Sequence, residues 1–215
     1  MNNSQLTDVH RVRVFLGDMR RVCRTHGIKV YLGKGKQVLY RDLSCMGYFD
    51  DMHHVPPRYA VATGRPLSVW LPIAVHEFCH VKQWIECVPA WTNQVITPSA
   101  YALDLLGEWF DGREMKKEKI AKLIRVAREV ERDCEERTVG EIIRRQLPVN
   151  HVKYAKQANS YVFSYTAMRE TRAWYTRSPR DVPQILKLMP DTILPECAYE
   201  DLPKGYLEAL RKYCY

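Results

Sequence analysis

No apolar run in this sequence is long enough to span a bilayer, which excludes a transmembrane helix. The first residues, MNNSQLTDVHRVRV, hold no apolar core behind a basic start, so no secretory signal is read there and a cytoplasmic protein is expected. CxxC spacing is absent. The seven cysteines (Cys23, Cys45, Cys79, Cys87, Cys134, Cys197, Cys214) are odd in number, which argues against a disulfide framework and against a cysteine zinc knuckle. Reduced thiols of a cytosolic chain are the expectation. Internal repeats and low-complexity segments are missing, and so are a helix-turn-helix signature and an aromatic-interleaved RNA motif.

What is present is a globular composition: 215 residues, 46% hydrophobic and 27% charged. Thr7 reads as an N-cap. Val9, Val12, Phe15, Leu16, Met19, Val22 and Cys23 follow at helical spacing to about Thr25, with Gly27 as the stop. Ile28 to Leu32 and Gln37 to Tyr40 read as a hairpin across Gly33-Lys34-Gly35, and Cys45 to Phe49 as a third short strand. Arg58 to Thr63 reads as another strand. Between these, adjacent His53 and His54 cannot both point one way in an extended chain and are read as surface loop residues. Trp91 to Thr97 reads as a loop, and Pro98-Ser99 as the opening of a helix through about Phe110. A long helix is expected over roughly 114–146 and an aromatic-rich one over 151–175. The proline-rich tail should form short helices and turns wrapped on the surface, with a last helix near 204–212.

The stretch with chemistry in it is Leu71 to Trp84, LPIAVHEFCHVKQW, which contains His76-Glu77-Phe78-Cys79-His80. On a helix, His76 and His80 share a face one turn apart and can offer two imidazoles to one metal ion. Glu77 is offset by about 100°, which lets it flank the metal and take a proton from a metal-activated water. The blander reading is two satisfied core histidines. The segment, however, is apolar around most of its circumference, and two His with a Glu in a buried helix need a partner for their polarity. Cys79 points away from the His face and reads as a small core residue.

Two His do not complete a catalytic zinc site. After His80 the chain reads VKQWIEC, which lacks the Gly and third His of the extended HExxHxxGxxH pattern. A carboxylate from a later helix is the other solution, and Val130-Glu131-Arg132-Asp133-Cys134-Glu135 is the candidate segment. Glu131 and Glu135 lie one turn apart. One can bind the metal while the other holds a ligand His through its second nitrogen. Asp133 is the next candidate, about 200° around the helix from Glu131. The competing reading is an ordinary charged surface, with Glu131 paired to Arg128 or Glu135 to Arg132.

HEFCH followed by ERDCE resembles the gluzincin class of zinc metallopeptidases, in which HExxH is followed on a later helix by ExxxD. The resemblance implies Zn2+ as cofactor, Glu131 as the third ligand beside His76 and His80, and Glu77 and Glu135 as catalytic carboxylates, with Glu135 standing where an Asp is usual. The chain is also similar to compact metallopeptidase proteins encoded by bacteriophages, which would make the cytoplasm that of the host cell. The fold class expected is α+β: a mainly helical, zincin-like single domain with a small N-terminal antiparallel or mixed sheet packed on the HExxH helix. The sheet part covers about 1–66, the helical part about 67–177 and a C-terminal wrap 178–215.

Peptide-bond hydrolysis also needs an oxyanion donor, for which His151, Tyr154, Tyr161, Tyr165 and Arg172 are candidates, core packing being the rival reading for the tyrosines. An edge strand at Tyr59 to Thr63 is the expected receiver of a peptide substrate by strand addition. The alternative is a catalytically silent metal-binding protein that engages nucleic acid or a protein partner. Net charge is +8, and from His10 to Arg41 nine Lys and Arg stand against the single acid Asp18, so this basic N-terminal region would be the binding face.

Overall fold

The computed structural model describes residues 3–215. The fold is α+β and mainly helical, and its contacts divide it into two compact units. Unit 1 comprises residues up to Val88 together with Arg137–His151, and unit 2 comprises Pro89–Glu136 and Val152–Tyr215. No helix among the described residues is long and apolar enough to cross a membrane.

Unit 1 opens with α1 (Asn3–Thr25), which buries Val12, Phe15, Met19 and Cys23 and stops at Gly27, a left-handed residue at φ 69°. Thr7 lies inside this helix, which begins earlier than the N-cap reading placed it. The strands follow: β1 (Lys29–Gly33), β2 (Val38–Tyr40), β3 (Leu43–Cys45), β4 (Gly47–Asp50) and β5 (Arg58–Ala62). They form a mixed sheet in the order β1-β5-β4, with β1 parallel and β4 antiparallel to β5, and a separate β2-β3 hairpin.

The expected pairing of β1 with β2 is therefore wrong. The glycines at 33–35 do not close a turn. Gly33 O accepts from Thr63 N at 2.6 Å and Gly35 O from Gly64 N at 2.9 Å, so this segment is tied to the end of β5. Gly64 permits the approach, since a Cβ there would lie 2.2 Å from Lys34 O. The tight turn is instead Arg41-Asp42, with Arg41 at φ 53°.

The central strand β5 is buried on both faces. Tyr59 donates to Ala74 O at 2.8 Å on α2 (Leu67–Ile85), while Ala60 and Ala62 join Val38 and Tyr48 on the other face. Phe15 meets Phe78 edge-on at 5.9 Å, which fixes α1 against α2. Helix α2 thus lies on the sheet, as the sequence reading expected.

The residues 137–144 that close the long helix α5 (Lys117–Arg144) also belong to unit 1. Glu141 is buried among Lys82, Arg144 and Arg145, and Arg145 continues to Asp18 at 2.7 Å. Burial pushes the Glu141 carboxyl up, but its three cationic partners pull it down further, to about 2 from 4.5. A carboxyl depressed in the folded state stabilises above its unfolded pKa and loses that contribution as pH falls through the folded value. Acid titration of stability should show a Glu141-dependent loss of about 3 kcal/mol between pH 4.5 and 2. That loss should be missing from the Glu141→Gln variant, as measured by urea midpoints across that range.

Unit 2 begins with α3 (Pro89–Gln94), the short pair β6 (Val95–Thr97) and β7 (Ala100–Tyr101), and α4 (Ala102–Phe110). Trp91 to Thr97 is thus structured and not a loop. The β-branched Val95-Ile96-Thr97 run pairs as a strand, which delays α4 to Ala102. Leu105, Leu106 and Trp109 of α4 pack on Leu123, Ile124 and Ala127 of α5 and on Tyr165 and Met168 of α6 (His151–Thr171).

Helix α6 ends four residues before the expected Tyr175, with Arg172 left-handed at φ 46°. Its other face buries Val162, Phe163 and Ala167 against the tail. The tail consists of 3-10 turns at Pro179–Asp181 and Glu196–Tyr199, α7 (Pro183–Leu186) and α8 (Tyr206–Cys214). The tail is not a surface wrap: Val182, Ile185, Tyr199, Tyr206 and Leu210 are core residues, because α6 is apolar on two sides and needs cover on both.

Candidate metal centre

In unit 1 the candidate ligands lie on α2. His76 and His80 bring their Nε2 atoms to 3.2 Å, with the rings edge to face. Two nitrogens bound to one tetrahedral zinc sit about 3.3 Å apart for bonds of about 2.0–2.1 Å, so the pair already has the spacing of a shared ion. His80 is buried, and its Nδ1 lies 2.7 Å from Gln83 Oε1. With that oxygen accepting, the proton sits on Nδ1 and Nε2 presents a lone pair, which is how ligating histidines are commonly oriented. Gln83 is fully buried and was not singled out in the sequence; its position three residues after His80 on the same helix is the signal that would have found it.

Glu77 is buried and turned toward β4. At Gly47 a Cβ would lie 3.1 Å from Glu77 Cγ and 2.7 Å from Ile73 Cγ2, so the glycine is what makes room for the carboxylate beside the edge strand. Burial and then the Glu77 charge push the Cys45 thiol up to about 11, which keeps it protonated at neutral pH. Cys79 is buried, as expected, and all seven cysteines are free thiols. The strand that can accept a peptide is not Tyr59–Thr63. β5 is central and paired on both edges, and β4 is the edge beside Glu77.

In unit 2 the candidate carboxylates lie on α5. Glu131 and Glu135 share one face, and a carboxylate oxygen of each lies within 4.8 Å of the other. Glu135 is fully buried. Tyr154 donates to its Oε2 at 2.5 Å, and Arg180 pairs with its Oε1. Tyr165 donates to Glu131 Oε1 at 3.4 Å and bonds Tyr161 at 2.9 Å, and Arg180 stacks over the Tyr161 ring at 4.1 Å. Burial first, and then the neighbouring carboxylates, push all three phenols well above 10, so each remains a hydroxyl that can donate. Of the arginines considered for surface pairing with these glutamates, Arg128 turns to Glu196 and Glu200, and Arg132 to Glu136.

Two of the five oxyanion candidates are not part of this cluster. His151 is exposed at the first position of α6, and Arg172 donates to Trp109 O at 3.0 Å and packs on the Trp109 ring. Arg180 was missed. It sits in a proline-rich tail with no helical periodicity to assign it a face, and only the packing of the tail under α6 brings it to Glu135.

The loop histidines also differ from expectation. His53 and His54 both direct Nδ1 at the buried Asp50 carboxylate, at 3.1 and 2.5 Å. Asp50 Oδ1 also accepts from Met52 N and His53 N, which bends the chain away from the extended form in which neighbours must diverge.

The chain matches no family model, no curated protein and no solved structure.

Proposed function

We propose that this chain is a zinc-dependent metallopeptidase in which His76, His80 and Glu131 hold the metal and Glu77 is the general base. The observation that carries the reading is the His76–His80 pair, at ligand spacing and with His80 oriented by Gln83. Glu131, half-buried on α5, offers the remaining donor type that a zinc site of this kind requires.

When bound, zinc lowers the pKa of a water toward neutrality and polarises the peptide carbonyl. Glu77 takes the water's proton and passes it to the leaving amine. Glu135, paired with Arg180 and hydrogen-bonded by Tyr154, is a positioning residue that keeps the α5 face in place. Tyr165 and Tyr161 are the hydroxyl donors for the developing oxyanion. The substrate is an extended peptide, added along β4, where Gly47 leaves the Glu77 carboxylate room beside the strand.

Metal analysis of the purified protein tests the ligand set. About one zinc per chain is expected, retained through dialysis, with retention sharply weakened in Glu131→Ala and lost in His76→Ala. Zinc affinity unchanged in Glu131→Ala would remove Glu131 from the site, and absence of zinc from the wild type after reconstitution would remove the enzyme reading.

A further inference from the structure

The proposed chemistry uses the α2 side of the sheet and the edge strand β4. The opposite edge, β1, has no part in it. In a parallel pair every second residue turns both its N–H and its C=O to the partner strand. Lys29 N donates to Pro57 O at 2.8 Å and Gly33 O accepts from Thr63 N, so Lys29, Tyr31 and Gly33 are the residues whose main chain faces β5. Val30 and Leu32 therefore direct two N–H and two C=O groups to the open edge.

Open grooves flank that edge on both faces of the sheet. On the α1 side a groove of about 500 Å³ is lined by Arg20, Arg24, Ile28, Val30 and Leu32. On the other face a groove of about 580 Å³ is lined by residues that include Lys29, Arg58, Tyr31 and Tyr48. Each groove carries two cationic side chains, and among the described residues no acid lines either. Tyr31 stands 58% exposed at the rim.

We propose that the β1 edge is a docking site for an extended acidic peptide segment that adds as a fourth strand. Successive side chains of a strand point to opposite faces. Carboxylates of such a segment would alternate between Arg20 and Arg24 on one face and Lys29 and Arg58 on the other, while its main chain meets Val30 and Leu32. Lysine on an edge strand ordinarily discourages pairing. Cations on both faces discourage a neutral or basic strand and admit an acidic one. A nucleic acid fits less well, because its phosphates are acceptors only and leave the Val30 and Leu32 carbonyls unmet. A second copy of this chain would bring the same cations, Arg20, Arg24, Lys29 and Arg58, to the seam from both sides. The proposal is independent of the metal reading, and its test does not use catalysis.

The test is fluorescence anisotropy of the full chain with a labelled peptide of Glu-Glu-Val repeated three times. Saturable binding is expected. It should weaken about tenfold in the Arg20→Ala/Arg24→Ala double variant, and about tenfold when alternate peptide nitrogens are N-methylated, which removes strand hydrogen bonds and leaves the charge intact. Equal binding of the N-methylated peptide would overturn strand addition. So would equal binding of a peptide with Lys in place of Glu, tighter binding of an oligothymidine of similar length, or no binding of the acidic peptide at all.

Discussion

If the proposed metallopeptidase reading holds, replacing Glu77 with glutamine is expected to lower peptide hydrolysis by about 10²–10⁴-fold, the range general-base groups contribute, while bound zinc stays at the wild-type level. The substitution keeps shape and volume, and the side chain keeps its place against Gly47 and Ile73. Only the capacity to take a proton is removed. Glu77 is one residue from His76 but on a different bearing of α2, turned toward β4, so the imidazole pair and its Gln83 contact should survive. Casein or peptide cleavage measured beside zinc content separates the cases. Activity retained in Glu77→Gln would end the general-base assignment, and zinc lost with activity would make Glu77 a structural part of the centre.

The second large effect concerns Arg128, which has no side-chain exposure and ties three segments of unit 2 together. Its guanidinium donates to Glu196 Oε1 at 2.8 Å, Thr166 Oγ1 at 2.9 Å and Tyr199 O at 3.0 Å, and pairs with Glu200. Burial would lower its pKa, but Glu200 and Glu196 raise it on balance, so the charge is held. Glu200 is depressed by the same hydrogen bond, whereas burial outweighs Arg128 at Glu196.

Arg128→Met should cost about 3 kcal/mol, the low end for breaking a buried pair, because both acids are partly exposed and can turn to water. Arg128→Lys should recover little, since a lysine lacks the planar fork that reaches four acceptors. Urea unfolding followed by tryptophan fluorescence measures both. A loss under about 1 kcal/mol for Arg128→Met would mean that apolar packing alone holds the tail.

The parts of this protein legible in the sequence were those written at short range. HExxH on one helix is a local pattern, because the 3.6-residue turn sets the spacing of His76 and His80 whatever the rest of the chain does. The long helices were likewise readable from helical periodicity, although Ile143 near the end of α5 is 54% exposed. Strand pairing was not legible: IKVYL and QVLY separated by a glycine turn suit a hairpin locally. What decides against it is the demand of β5 for cover on both edges, a non-local term that no window of sequence contains.

The same division runs through the candidate centre. Sequence alone determined a metal-capable imidazole pair, a glutamate beside it and two carboxylates one turn apart on a later helix. Only tertiary packing decided that β4 and not β5 borders Glu77, that His53 and His54 converge on Asp50, and that Arg180 from the tail pairs with Glu135. Helical periodicity is enforced by hydrogen bonds four residues apart and leaves its mark in adjacent letters. Strand order and the burial of a charge depend on which distant segment fills the space, and that is settled by the packing of the whole core.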